Sequence, residues 1–137
     1  MEYDDQLKIS SNLKNLAILR RFIGDFCARA KSKAIAPAQI EALKLAVNEF
    51  VTNTIKHGYH GEDGNWIIIE AEKYSNSIVV KIFDWGGIFD PDAVPPPSLD
   101  GSQDGGMGLY IIKNTIDEVI FSRDENARNC AKLTLYL

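Results

Sequence analysis

Glu49 and Asn53 stand four residues apart in Glu49-Phe50-Val51-Thr52-Asn53, Asp84 is followed by Trp85-Gly86-Gly87, and glycines crowd Gly105-Gly106-Met107-Gly108-Leu109. On a helix the first pair lies on one face, so a carboxylate and a carboxamide can share a single magnesium-phosphate complex. Asp84 closes an apolar run, and there a carboxylate can accept a hydrogen bond from an exocyclic amine such as adenine's, with glycine letting backbone approach the ring. The third piece opens an apolar helix, whose free amides and dipole favour anions such as phosphates. Taken in this order, the pieces read as a nucleotide site.

Each piece alone also has a plainer reading. Glu49 and Asn53 would serve as solvated helix residues, although Asn is a poor helix former in mid-helix. Asp84 would bond its own downstream amides in a strand-end turn. The glycines would form a hinge before a buried helix. They match neither the Walker pattern, since no Gly-Lys-Ser or Gly-Lys-Thr follows, nor a dinucleotide fingerprint.

The elements that must carry these groups follow from periodicity. A short strand is expected over Gln6 to Ser10, then a helix capped by Asn12 with Leu13, Leu16, Leu19, Ile23, Phe26 and Ala30 inward. Its other face holds Lys14, Arg20, Arg21, Asp25 and Arg29, a solvated face or a partner surface. Lys31 to Pro37 breaks the pattern, and Pro37 begins a second helix running to about His57, stopped by Gly58. In it Ile40, Leu43, Val47, Phe50, Val51 and Thr54 face the sheet, while Glu49, Asn53 and Lys56 or His57 make a polar line at the edge.

Trp66 to Glu72 and Ile78 to Phe83 read as a hairpin turned at Ser75-Asn76-Ser77. From Asp90 to Gly106, a long connection containing Pro95-Pro96-Pro97 has the composition of a lid or binding loop. A third helix is expected over Met107 to Ile116, with Met107, Leu109, Ile111 and Ile112 supplying core side chains. Strands over Glu118 to Ser122 and Ala131 to Leu137 follow.

At 137 residues the chain fits one domain, residues 1–137, able to bury a core without staples. A net charge of −4 gives no basic face for nucleic acid. Cys27 and Cys130 form no paired framework, and there is neither a leader pattern nor an apolar run of ~18 residues. A reduced cytoplasmic setting, without membrane contact, is the expectation. His57 and His60 are spaced like half a zinc site, but no other Cys or His lies near them in sequence.

Together, the Glu-x-x-x-Asn helix, the Asp-x-Gly strand end and the Gly-x-Gly helix start resemble the ATP-binding domain of the GHKL, or histidine kinase-like ATPase, superfamily. Ala46 to Asn53, Phe89-Asp90-Pro91 and Gly105 to Lys113 are most similar to the small anti-sigma factor serine/threonine kinases. The resemblance spans nearly the whole chain. It implies an α/β two-layer sandwich, a mixed, mostly antiparallel sheet with helices on one face, binding ATP with Mg2+.

By the same resemblance Glu49 would be the general base, Asn53 the magnesium ligand, Asp84 the adenine reader and Gly86 its close-approach glycine. The amides of Gly105, Gly106, Met107, Gly108 and Leu109 would cradle the phosphates, and His57 would join the nucleotide-binding residues. The implied protein is a homodimeric kinase regulating transcription, which phosphorylates an anti-anti-sigma partner and sequesters a sigma factor. The alternative is an ATP-binding module that switches partners without phosphoryl transfer. Ile88 stands where the fuller Asp-x-Gly-x-Gly pattern has its second glycine, which bears on the lid hinge. No helix with a phosphoacceptor histidine precedes the domain, so a complete histidine kinase is not expected, nor is a gyrase-type machine, which needs further coupling domains.

Overall fold

The computed structural model describes residues 1–30, 35–87 and 115–137. Strand β1 (Tyr3–Ser10) leads through a 3-10 turn (Leu13–Asn15) to helices α1 (Leu16–Arg29) and α2 (Pro37–Asn53). A π-helical turn (Thr54–Gly58) extends α2, and strands β2 (Trp66–Tyr74), β3 (Ser77–Asp84), β4 (Glu118–Arg123) and β5 (Asn129–Tyr136) follow. They form a sheet in the order β1-β2-β3-β5-β4. Every pairing among these strands is antiparallel, so the sheet is antiparallel throughout its described part rather than mixed.

The helices cover one face. Along α1 the buried residues are Leu19, Ile23, Phe26 and Cys27, and along α2 they are Leu43, Ala46, Val47, Phe50 and Val51. Both follow three- and four-residue steps, which put a single apolar stripe on each helix. Alternate strand residues meet them, including Ile67, Ile69 and Ala71 on β2, Ile78, Val80 and Ile82 on β3, and Leu133 and Leu135 on β5. Each such aliphatic side chain contributes about 1.5–3 kcal/mol by leaving water. The two-layer sandwich read from sequence is therefore what the core builds.

Local chemistry sets the helix starts. The Asn12 carboxamide oxygen accepts from the Lys14 N–H at 2.9 Å, and the Gln39 side chain reaches back to the Ala36 N–H at 3.0 Å ahead of Pro37. The Asn12 cap opens a 3-10 turn rather than the α-helix itself. The tighter pitch of that turn rotates Leu13 off the helical stripe, leaving it 49% exposed instead of inward. β1 begins at Tyr3, earlier than Gln6, because β2 pairs with it from Lys73 onward. The expected third helix, the long connection and the Gly105 to Leu109 segment lie outside the described residues, apart from Thr115 and the buried Ile116.

Candidate nucleotide-binding site

The site is built where the end of α2 meets the end of β3. After Asn53 the helix widens into the π turn, in which the Tyr59 N–H bonds the Thr54 carbonyl at 2.9 Å and the Gly61 N–H bonds Ile55 at 2.8 Å. Such turns recur at functional sites because they redirect backbone groups without ending the helix. Here the redirected group is the Gly58 carbonyl, which accepts from the Gly87 N–H at 2.8 Å. Gly86 packs against the same carbonyl, so closely that a Cβ at Gly86 would stand 2.7 Å from the Gly58 oxygen. The close approach that Gly86 permits is thus first of all to the backbone of the α2 extension.

Asp84 is buried, 6% exposed, at this junction. Its Oδ1 accepts from the Gly86 N–H and from Asn129 Nδ2, both at 2.9 Å. The strand-end turn of the plainer reading is therefore real, but it occupies one carboxylate oxygen. Oδ2 accepts no hydrogen bond from another described residue. The same Asn129 nitrogen donates to the Gly86 carbonyl at 3.1 Å, and the Asn129 oxygen accepts from Arg123 Nη1 at 3.3 Å.

Tyr59 locks the corner from below. Its hydroxyl donates to the Trp66 carbonyl and accepts from the Trp85 N–H, both at 2.8 Å. One side chain thereby ties the α2 extension to the start of β2 and the end of β3. Burial raises the Tyr59 pKa, opposed by the Trp85 N–H and assisted by the Asp84 charge.

Glu49 and Asn53 sit half-buried on the last turns of α2. Neither side chain forms a hydrogen bond with another described residue. Their neighbours differ, since Asn48 Oδ1 accepts from Arg20 at 2.7 Å and the Thr52 hydroxyl bonds the Asn48 carbonyl at 2.7 Å. His57 is exposed on the π turn. Roughly 13 Å of helix separates Glu49 from Gly58. Glu49, Asn53 and Asp84 are thus joined through the Gly58 and Gly86 contact, whereas Gly105, Gly106, Met107, Gly108 and Leu109 lie outside the described residues.

Sequence reasoning missed Gly58, Tyr59 and Asn129 as site builders. Gly58 read as a helix stop, and Asn129 gains meaning only from the register that sets it opposite both Asp84 and Arg123. No group of three or more His, Cys, Asp or Glu converges as a metal cluster among the described residues. Magnesium does not need one when phosphates and water supply most ligands, so a single carboxamide at Asn53 fits such an ion. A buried carboxylate with one oxygen available similarly fits an amine-bearing base.

A fold of this topology, with a buried aspartate at the strand end beside a Glu-x-x-x-Asn helix, is consistent with a nucleotide-binding ATPase domain. The chain belongs to the histidine kinase-like ATPase domain family, which matches residues 9–135. Membership in a family of ATPase domains implies ATP as the nucleotide.

Among curated relatives, the serine-protein kinase RsbW of Listeria monocytogenes serotype 4a (strain HCC23) is 34% identical over 94 residues, 63% of this chain and 60% of that protein. The chain thus spans about 60% of the length of this relative. The protein of the same name from Bacillus pumilus (strain SAFR-032) is 29% identical over 124 residues, 83% of this chain and 75% of that one. In Bacillus subtilis (strain 168) the figures are 26% over 122 residues, 83% and 74%. The fold is also that of a crystallised Mycobacterium tuberculosis protein comprising RsbU and RsbW domains, with a TM-score of 0.64 at 17% identity, covering 96% of this chain and 32% of that one.

Proposed function

We propose that this chain is an ATP-dependent serine/threonine protein kinase of the anti-sigma factor type. The observation that carries the proposal is the junction itself: a buried Asp84 with one oxygen available, joined by Gly58 and Gly86 to the helix bearing Asn53 and Glu49. The serine-protein kinase name shared by the relatives supports the same reading. Asp84 would meet the base, and Asn53 and Glu49 on α2 would face the phosphates.

ATP supplies the phosphoryl group when bound, with Mg2+ neutralising its charge. Asn53 would hold the metal through its carboxamide oxygen, and Gly105 to Leu109, outside the described residues, would be the phosphate-binding segment by the sequence resemblance. Glu49 takes the proton from an attacking serine or threonine hydroxyl, a contribution of about 10²–10⁴-fold. Positioning and charge neutralisation supply most of the remaining rate. The chain acts as a single domain, a homodimer in the cytoplasm, with an anti-anti-sigma protein as phosphoacceptor and a sigma factor as sequestered partner.

The deciding experiment follows phosphate from labelled ATP to a serine of an anti-anti-sigma protein, with Glu49→Gln beside the unmodified chain. Transfer abolished in the variant while ATP still binds supports the kinase. Binding without transfer in either protein means an ATP-dependent partner switch, and an acid-labile product means a histidine acceptor.

A further inference from the structure

The ends of β4, β5 and β3 line up so that Arg123, Asn129 and Asp84 occupy one register row. Along that row the contacts run in one direction. Arg123 Nη1 donates to the Asn129 oxygen at 3.3 Å, which leaves the Asn129 amino group turned toward Asp84. That amino group donates to Asp84 Oδ1 at 2.9 Å and to the Gly86 carbonyl at 3.1 Å. With the Gly86 N–H also on Oδ1, two donors converge on the same oxygen. The carboxylate plane is thereby set, and its other oxygen, which no described residue bonds, is the acceptor offered to a ligand.

We infer that Asn129, oriented by Arg123, is the positioning residue that makes Asp84 discriminate an amine-bearing purine from a carbonyl-bearing one. The inference rests on the reading of Asp84 as the group that meets the base. A carboxylate oxygen held in a fixed plane attracts an exocyclic N–H and repels a carbonyl oxygen at the same place. Without Asn129, Asp84 keeps, among the described donors, only the Gly86 N–H at its bonded oxygen and is able to rotate. That rotation erodes discrimination more than it erodes the phosphate-derived part of the affinity. The specificity of the pocket thus extends beyond the residue that touches the base, to a carboxamide on β5 and a guanidinium on the edge strand.

The experiment is a calorimetric titration of the full chain, in magnesium buffer, with ATP and with inosine triphosphate, whose base has a carbonyl in place of adenine's amine. The unmodified chain should prefer ATP. Asn129→Leu keeps the side-chain size without the donors, and the preference should fall by about tenfold or more, the range for a hydrogen bond to a charged group. Asn129→Ala tests the same loss of donors in a smaller side chain should the leucine variant fail to fold, as checked by thermal unfolding.

Arg123→Ala should shift the ratio in the same direction by less. Arg128→Ala, whose guanidinium instead lies over the Phe83 ring at 4.6 Å and bonds Asp124 at 3.0 Å, should leave it unchanged. If both Asn129 variants keep the full preference while Asp84→Asn loses it, the positioning role is overturned and the base-reading role of Asp84 survives. If the unmodified chain binds neither nucleotide, or both equally, the reading of Asp84 falls and this inference with it.

Discussion

The two halves of the site are organised in opposite ways. At the β3 end, Asp84, Gly86, Tyr59 and Asn129 are bonded to one another and to backbone from the α2 extension and β2. On the α2 face, Glu49 and Asn53 are half-buried, and their side chains bond no other described residue, although Asn48 and Thr52 on the same helix do. The first region has already met the cost of orienting its polar groups, which is what selecting a base requires. The second keeps its polar groups free of bonds to described residues, as the proposed roles toward a metal, phosphates and an incoming hydroxyl would require.

This contrast predicts unequal responses to substitution. The largest is expected at Glu49, where Glu49→Gln should lower phosphoryl transfer by about 10²-fold or more at nearly unchanged ATP affinity and thermal stability. A comparable fall in ATP affinity would mean that Glu49 belongs to the binding half.

Gly86→Ala comes next and should act through structure. A methyl group 2.7 Å from the Gly58 oxygen and 2.8 Å from its carbonyl carbon meets backbone rather than a flexible side chain, so the junction must open, at about 1–3 kcal/mol of stability. A denaturant midpoint equal to that of the unmodified chain would show that the corner yields without cost.

Tyr59→Phe removes a hydroxyl that bonds two backbone groups and should cost about 1–2 kcal/mol. Weaker ATP binding is expected to accompany this loss, because Trp85 adjoins Asp84. Full stability in urea unfolding would assign the hydroxyl no part in holding the corner.

Asn53→Ala should produce a smaller and more selective effect, weakening ATP binding chiefly when magnesium is present. Titrations with and without the metal that shift equally would remove the ligand assignment.

The last effect lies away from the site and only at alkaline pH, at Cys27 on α1. Burial pushes this thiol up to about 11 from an ordinary 9.0, with Lys44 pulling slightly the other way. The folded chain therefore keeps a proton that the unfolded chain releases. This contribution is complete below pH 9 and is lost as pH rises toward about 11, by about 3 kcal/mol over the window. Cys27→Ala should flatten that part of the stability profile, as read by urea unfolding at successive pH values.

Much of this fold is legible in the sequence because periodicity is a local property. The stripe Leu43, Val47, Phe50 and Val51 declares α2 and its inward face, and the alternation around Ile67 and Ile69 declares β2. Leu13 escaped the pattern because the choice between 3-10 and α geometry at a helix start depends on a cap and on what lies beyond it. Similarly, the π turn leaves no periodic signature. It is recognisable only from hydrogen bonds that pass over four residues, such as Tyr59 to Thr54. In the site, Glu49, Asn53 and Asp84 stood out by residue type and spacing. Tyr59 and Asn129 did not, since a tyrosine after a glycine and an asparagine after a charged turn are ordinary on any surface loop.

By itself, the sequence determined the element types, the inward stripes and the identity of the groups available for chemistry, since these depend on neighbours within a few positions along the chain. Only the tertiary structure decided that the Gly86 gap is filled by Gly58, that Tyr59 clamps three segments, and that Asn129 holds one oxygen of Asp84 and leaves the other. Those outcomes depend on strand register and on the approach of distant backbones, and close packing across the sheet settles both at once.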